Sequence, residues 1–319
     1  MTPLPPSGTL TAMTGRPLPV PSILRTLTLG SADWETRGVL RPQTQPQRTP
    51  ARFPPAADLS AFVDLYWIAH WDLAPGATTV VETLPHPCVN VVVEQGGSLV
   101  HGPVKGRFSR TLAGRGRVVS ARLRPGAFRA FCKRPAWQLV GTSMGFPAAF
   151  GVASGPLESA MLVPANAQAD ERAMVGVLEQ FLRERLPAPD PATLDVGDGI
   201  DLVDTIDRID RIDGIIACIA ADRDLVRVED LAQAVSLGRR SLERLFREYV
   251  GPSPKWVIRQ YRLQAAADEA AKGKVANWSR LASELGYADQ AHFIRDFRAI
   301  LGATPTEFAR QAALPRPVA

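Results

Sequence analysis

Residues 231–254 read LAQAVSLGRRSLERLFREYVGPSP, and residues 281–305 read LASELGYADQAHFIRDFRAILGATP. Leu231-Ala232, Leu242, Arg244, Phe246, Gly251 and Pro254 of the first stretch recur in the second as Leu281-Ala282, Phe293, Arg295, Phe297, Gly302 and Pro305. Each copy opens with a short amphipathic helix, passes through a turn, and enters a second helix with apolar residues at helical spacing and a polar or basic opposite face. In the first copy the turn is Ser236-Leu237-Gly238, where Gly238 suits an N-cap or a positive φ. In the second it is Gly286-Tyr287-Ala288-Asp289, one residue longer, with Asp289 as the cap. Ser253-Pro254 and Thr304-Pro305 each place a cap residue before a proline at the first helical position, and Thr304 with Glu307 forms a capping box. This is the helix-turn-helix pattern, present twice.

One long helix is predicted between the copies, from near Ser253 to near Gly273. Twenty residues at about 1.5 Å each make a rod of about 30 Å. Major-groove entries on one face of B-DNA repeat every ~34 Å, so such a connector sets two recognition helices into adjacent grooves and predicts a bipartite site.

Residues from about 204 to 311 resemble the DNA-binding domain of AraC/XylS-type bacterial transcription regulators. The motifs that carry the resemblance are Leu231-Ala232, Leu242-Glu243-Arg244-Leu245-Phe246, Gly251-Pro252-Ser253-Pro254, Tyr261-Arg262-Leu263, and Gly286-Tyr287-Ala288-Asp289-Gln290-Ala291-His292-Phe293 with Phe297 and Gly302. The resemblance covers roughly a third of the chain. It implies seven helices in two subdomains joined by the long helix, with the base-facing residues on the outer face of each recognition helix. Here those are Arg239, Arg240, Ser241, Glu243, Arg244 and Arg247 in the first head, and Gln290, Ala291, His292 and Arg295 in the second. Arginine bonds guanine O6 and N7 bidentately, Gln suits adenine and Glu accepts from cytosine N4, with about 1–3 kcal/mol of discrimination for a good bidentate pair. The arginine-rich first head is expected to dominate affinity. Leu231, Leu242, Leu245, Phe246, Leu281, Phe293 and Phe297 are assigned to the cores of the heads, and Trp256 and Tyr261 to bracing the connector.

The 319 residues, 45% of them hydrophobic, suffice for two cores. A pI near 9.4 suits nucleic acid, but a net charge of +5 points to localised arginines and helix N-termini rather than a polybasic surface. The N-terminus lacks the pattern of a leader, and no run approaches 18 apolar residues, so a cytoplasmic, nucleoid-associated protein is expected. Cys88, Cys132 and Cys218 form no CxxC pair and read as small hydrophobes.

The first 55 residues are rich in Pro, Thr and Arg and read as an irregular arm, with Trp34 and Leu40 as anchors. Leu59, Phe62, Val63 and Tyr66 predict a helix over Ala57–Trp67; Cys88–Glu94 and Arg117–Leu123 predict strands. Trp67 and Trp71, residues 84–90, Gly114-Arg115-Gly116-Arg117 and Arg124-Pro125-Gly126-Ala127-Phe128 resemble N-terminal domains of uncharacterised role fused to AraC-type heads. The resemblance implies a β-rich domain, a small barrel of cupin-like kind, that senses an effector or mediates dimerisation. The fold class is α+β, with that domain followed by an all-α C-terminal domain.

The front half also offers residues for other chemistry. His86 and Cys88, with His70 and His101, form a conceivable cupin-type metal set, but no accompanying carboxylate joins them, and His86 between two prolines suits a turn entering a strand. Cys88 follows a proline like the alkyl-accepting cysteines of DNA-repair proteins fused to AraC-type heads, yet Pro87-Cys88-Val89-Asn90 lacks their His-Arg relay. The 114–117 segment lacks phosphate-loop spacing. Arg122, Arg124 and Arg129 behind it read as solvated turn arginines, with an anionic effector as the sharper alternative.

Glu171–Leu186 predicts a helix ended by the proline run that follows, and Ile206, Ile209, Ile212, Ile216 and Ile219 form the stripe of a core helix, with a dimer seam as the alternative. The expected organisation is an arm at 1–55, a sensor or dimerisation domain at 56–186, a linker at 187–203, the DNA-binding domain at 204–311 and a tail at 312–319. Double-stranded DNA is the partner; a small-molecule effector, RNA polymerase and a second copy of the chain are the others the resemblance admits. No cofactor, metal, membrane or catalytic residue is expected. The rival readings are an enzyme or metal-binding sensor with its chemistry in the β-rich domain, and an architectural DNA-binder that bends DNA.

Overall fold

The computed structural model describes residues 39–40, 50–162, 170–186, 202–222, 224–273, 275 and 277–313. Nine strands of the described residues form two sheets. One has the order β1 (Val39–Leu40), β4 (Thr78–Thr83), β7 (Phe108–Ala113). The other runs β2 (Ala51–Phe53), β3 (Val63–Asp72), β8 (Arg115–Leu123), β5 (Asn90–Glu94), β6 (Leu99–His101), β9 (Ser143–Gly145). All pairings are antiparallel.

The period-2 alternation of strands sorts the six-stranded sheet into two faces. Tyr66 opposite Ala121 and Ile68 opposite Val119 share one face with Val91, Val93 and Val100. That face carries the main core, closed by Phe128 and Phe131 of α1 (Phe128–Phe131), Phe146 of α2 (Phe146–Phe150), Leu157 and Met161 of α3 (Gly155–Leu162) and Leu178 and Leu182 of α4 (Glu171–Arg183). The other face turns toward the three-stranded sheet. Trp71 Nε1 donates to the Ala113 carbonyl at 3.2 Å, Arg110 pairs with Glu94 at 2.5 Å, and the rings of His101 and Phe108 meet edge to face.

Two expectations fail here. Residues 57–62 form a turn, closed by Leu59 N to Ala56 O and Val63 N to Leu59 O, and β3 starts at Val63 where a helix was predicted. One helical turn is enough to bury Leu59 and Phe62 at i and i+3. Beyond it, Val63-Asp64-Leu65-Tyr66-Trp67 is rich in β-branched and aromatic residues and finds a nine-residue partner strand, so tertiary pairing overrides the local spacing. The arm is also not wholly irregular: Ala51–Phe53 is an edge strand on Ile68–Tyr66, and Val39–Leu40 pairs with Thr83–Glu82. Trp34 lies outside the described residues, as do the proposed linker from 187 to 201 and the tail from 314.

The C-terminal region has the seven helices the resemblance implied: α5 (Leu202–Ala221), α6 (Val228–Ala234), α7 (Arg239–Leu245, continued by a π turn over Phe246–Val250), α8 (Pro254–Ala271), α9 (Trp278–Glu284), α10 (Gln290–Leu301) and α11 (Pro305–Ala313). Leu231, Leu242, Phe246, Val257 and Ile258 with Ile212, Ile215, Ile216 and Ile219 of α5 fill one core; Leu263, Phe293, Phe297, Ile300 and Leu301 fill another. The 18 residues of α8 span about 27 Å. Its Ser253 cap accepts from Trp256 N, Asp289 accepts from His292 N, and the Thr304–Glu307 box closes in both directions.

The α5 stripe belongs to two cores at once. Ile209 packs in the β-domain core, with Leu202 and Ile206 against it, while Ile212, Ile215, Ile216 and Ile219 pack in the first head. Arg124 fastens the junction: it reaches Asp210 at 2.8 Å, Asp213 at 2.7 Å and the Ala61 carbonyl at 3.1 Å.

His86 sits in the Leu84–Cys88 segment, where burial first, and the Arg122 and Arg52 cations second, lower its pKa to about 4. In the unfolded chain the imidazole takes up a proton near 6.5. The folded chain holds it neutral, so its contribution to stability is complete above about pH 6.5 and is lost as the pH falls toward 4. His86→Gln should therefore flatten the decline of the urea midpoint between those pH values, with a difference from wild type on the order of 2–3 kcal/mol at the acid end. Parallel declines would remove His86 from this account.

Candidate nucleic-acid interface

The two heads are built alike down to their turns. Leu237 N donates to Ala232 O and Tyr287 N to Ala282 O, at 2.9 and 3.0 Å. The residue one before each donor takes a left-handed conformation: Ser236 at φ 52° and Gly286 at φ 75°. In the first copy this conformation thus falls on Ser236, while Gly238 is an extended N-cap at φ −67°. The extra residue of the second turn delivers Asp289 to the cap position, where its carboxylate replaces a cap that Gly238 lacks.

All the residues assigned to base contact lie on the exposed or half-exposed side of α7 and α10, opposite the buried Leu242, Phe246, Phe293 and Phe297. They are not equally available. Arg239 is held by Glu229 at 2.6 Å and by Glu243 at 3.0 Å. Gln290 Oε1 accepts from Ser279 at 2.7 Å, and His292 lies 3.5 Å from Asp296 and edge-on to Tyr287. Ser241, Arg240 and Arg244 are exposed on α7, Ala291 and Arg295 on α10. Arg247 stacks on the Trp137 ring of the β-domain, 5.0 Å from its centroid.

That stacking is one of several ties that sequence reasoning missed. Gly251 and Gly302, equivalent residues after the two recognition helices, both have positive φ and both are approached by the β-domain. A Cβ on Gly251 would lie 2.8 Å from Val140 Cγ2, and one on Gly302 would collide with the Arg107 guanidinium. Between these points the connector α8 receives the β-domain as well: Gln260 and Gln264 donate to the Pro85 carbonyl, and Trp256 Nε1 donates to Lys105 O at 3.3 Å. Arg107 N donates to Ala299 O on α10, and Leu84 packs in the second head's core. Tyr249 lies between Arg129 and Arg208, each 4.9 Å from its ring centroid, and Arg129 also reaches Glu248 at 3.3 Å. Arg122, Arg124 and Arg129 are therefore not solvated turn arginines: Arg122 pairs with Asp64 at 2.6 Å, and the other two join the domains.

The other front-half candidates separate. His70 bonds Glu171 and Arg117, at 3.1 and 2.9 Å, on β3, whereas His86 and Cys88 lie in the loop before β5. Among the described residues no group of three or more His, Cys, Asp or Glu side chains comes close enough together to hold a metal. Burial pushes the Cys88 thiol up to about 12, the direction that suppresses thiolate. Gly114 is the turn of the β7–β8 hairpin at φ 58°, and Arg115 beyond it pairs with Asp72. Among the described residues no helix is long and apolar enough to cross a membrane.

Two helix pairs with equivalent turns on a common connector, each with a polar or basic outer face on its second helix, define a double helix-turn-helix DNA-binding domain. Residues 231–311 match a family model described as a helix-turn-helix domain, and residues 51–145 match one described as a domain of unknown function (DUF6597). Over 99 residues the chain is 27% identical to an uncharacterized HTH-type transcriptional regulator of Haemophilus influenzae, an alignment covering 31% of this chain and 33% of the relative, so the chain spans about a third of that relative's length. Similar solved structures include an AraC-type transcriptional regulator from Chromobacterium violaceum, 25% identical over 34% of this chain and 96% of that one at a TM-score of 0.30. Another is ToxT from Vibrio cholerae, 11% identical over 78% of this chain and 99% of that one at a TM-score of 0.34. Residues 231–311 of this chain are thus a helix-turn-helix domain, similar to those of AraC-type regulators.

The Glu229–Arg239–Glu243 cluster places two carboxylates beside the exposed outer side of α7. Glu229→Gln removes one of them and releases Arg239 toward phosphate. Affinity for a non-specific duplex should rise about three- to tenfold at low salt, with a steeper salt dependence by roughly one phosphate contact. Fluorescence anisotropy titrations across a salt series measure both, and unchanged slopes would show Arg239 to be idle.

Proposed function

We propose that the chain is a sequence-specific transcriptional regulator, without catalysis of its own, that reads a bipartite operator through α7 and α10. The observation that carries this reading is that two equivalent recognition helices flank one continuous 18-residue connector helix about 27 Å long, against a groove repeat of ~34 Å. The proposed base-facing set is Arg239, Arg240, Ser241, Glu243, Arg244 and Arg247 with Gln290, Ala291, His292 and Arg295. Within it, Arg240 and Arg244 of the first head carry most of the specific affinity, because they are exposed arginines without a partner among the described residues, whereas Gln290 is already engaged by Ser279.

The β-domain is the regulatory half of this proposal. Its docking on both heads offers a route by which an effector could change their mutual setting, and the space between its two sheets is where such a ligand would be held. The support there is the buried Ser120 hydroxyl, on the face turned to the three-stranded sheet, which has no hydrogen-bond partner among the described residues. Self-association of the same domain and contact with RNA polymerase belong to the proposal on the strength of the family resemblance.

In-vitro selection of the full chain from random duplexes should enrich two short boxes about one helical turn apart. On a duplex so selected, Arg240→Ala should cost about 1–3 kcal/mol of binding and relax preference in one box, with a smaller loss for Gln290→Ala. Equal losses would contradict the dominance of the first head, and binding without sequence preference would return the protein to the architectural class.

A further inference from the structure

A cavity of about 560 Å³ lies between the end of the first recognition helix and the first turns of the connector α8, with Lys105 of the N-terminal domain in its lining. Glu243 and Arg247 border it on the side of the first recognition helix. The turn at 251–253 and the first residues of α8, including Lys255 and Trp256, make its floor. Arg259 borders it toward the second head, where its guanidinium pairs with Asp296 of α10 and donates to the Tyr287 hydroxyl. The remaining cation is Lys105, from the β6–β7 loop of the N-terminal domain.

Four cations thus converge, and the one carboxylate in the lining, Glu243, is turned to Arg239 at 3.0 Å. Lys105 and Lys255 are exposed and make no hydrogen bond or ion pair through their ammonium groups among the described residues. The loop that carries Lys105 is fixed on both sides: Trp256 Nε1 donates to the Lys105 carbonyl, and Arg107, two residues on, donates through its backbone to Ala299 and through its side chain to Glu82 at 2.7 Å. Trp137, also of the β-domain, lies against the Arg247 guanidinium. The N-terminal domain therefore both supplies one cation and holds another.

When two recognition helices enter successive major grooves on one face of a duplex, the stretch between them is a minor groove edged by two phosphate backbones. That stretch comes to rest against the surface between the heads. We propose that Lys105, Lys255 and Arg259 form a composite phosphate-binding floor for this backbone, beside the base-facing Arg247, so that the N-terminal domain is itself part of the DNA-binding surface. The inference rests on the DNA-binding reading above and goes beyond it, since the helix-turn-helix domain alone lacks Lys105. The ligand is a DNA phosphodiester, contacted without base information.

The test uses the full chain and a duplex obtained by selection, titrated across a salt series. Lys105→Ala should weaken binding about three- to tenfold at moderate salt and lower the slope of log K against log salt by about 0.9, with base preference unchanged; Lys105→Glu should weaken it further, and Lys133→Ala, an exposed lysine elsewhere on the same domain, should do neither. Wild-type affinity and slope in Lys105→Ala would overturn the composite floor while leaving the reading heads intact, provided Arg240→Ala still costs binding. Loss of base preference in Lys105→Ala would overturn it too, by making Lys105 a reader. If inorganic phosphate raises the thermal midpoint of the wild type but not of Lys105→Ala, and DNA binding ignores the substitution, the cavity serves a free anion instead. Failure of the wild type to bind any duplex would defeat both this proposal and the reading beneath it.

Discussion

The architecture depends on one helix being shared by two cores. The isoleucine stripe of α5 enters the β-domain core at Ile209 and the first head's core from Ile212 onward, with a single turn between. A helix is stiff over such a distance, so the two cores are set relative to each other without a hinge. Arg124 reinforces the junction from the β-domain side, bonding Asp210 and Asp213 on α5 and the carbonyl of Ala61. An arginine with a planar fork of donors suits this task in a way that lysine does not, because it satisfies several acceptors at fixed angles.

From that junction the remaining contacts follow along the connector. The β-domain touches α8 at Trp256, Gln260 and Gln264 and reaches beyond each end of it, to Gly251 and to Gly302. These glycines end the recognition helices with positive φ, which costs other residues conformational energy, and their missing side chains leave room for Val140 and Arg107. One residue type thus meets a local and a tertiary demand at both places. The same docking leaves Arg240 and Arg244 on α7 and Ala291 and Arg295 on α10 exposed, so contact between the domains and access to these residues coexist.

Legibility differed between the halves for physical reasons. The C-terminal helices announce themselves through caps: Ser253, Asp289 and the Thr304–Glu307 pair bond the backbone within three residues, so a local reading captures them. In the β-domain the deciding partners are remote. The apolar residues from Leu59 to Tyr66 satisfy helical spacing, yet β3 forms because β8, far along the chain, offers a ladder. Arg122, Arg124 and Arg129 carry no local sign of their partners, which lie on β3, α5 and the π turn after α7. Lys105 is a single loop lysine in sequence; only its position beside Trp256 and Arg247 gives it meaning.

By itself the sequence determined the duplicated helical unit, its caps, the connector and the side of each recognition helix that faces outward, because all of these arise from interactions within a few residues or from the 3.6-residue period. The tertiary structure alone decided which strands pair, that α5 serves two cores, and that a domain N-terminal to the reading heads lies against both of them. Those features depend on side chains far apart in the chain meeting at distances of a few ångströms, and no periodicity or spacing encodes such a meeting.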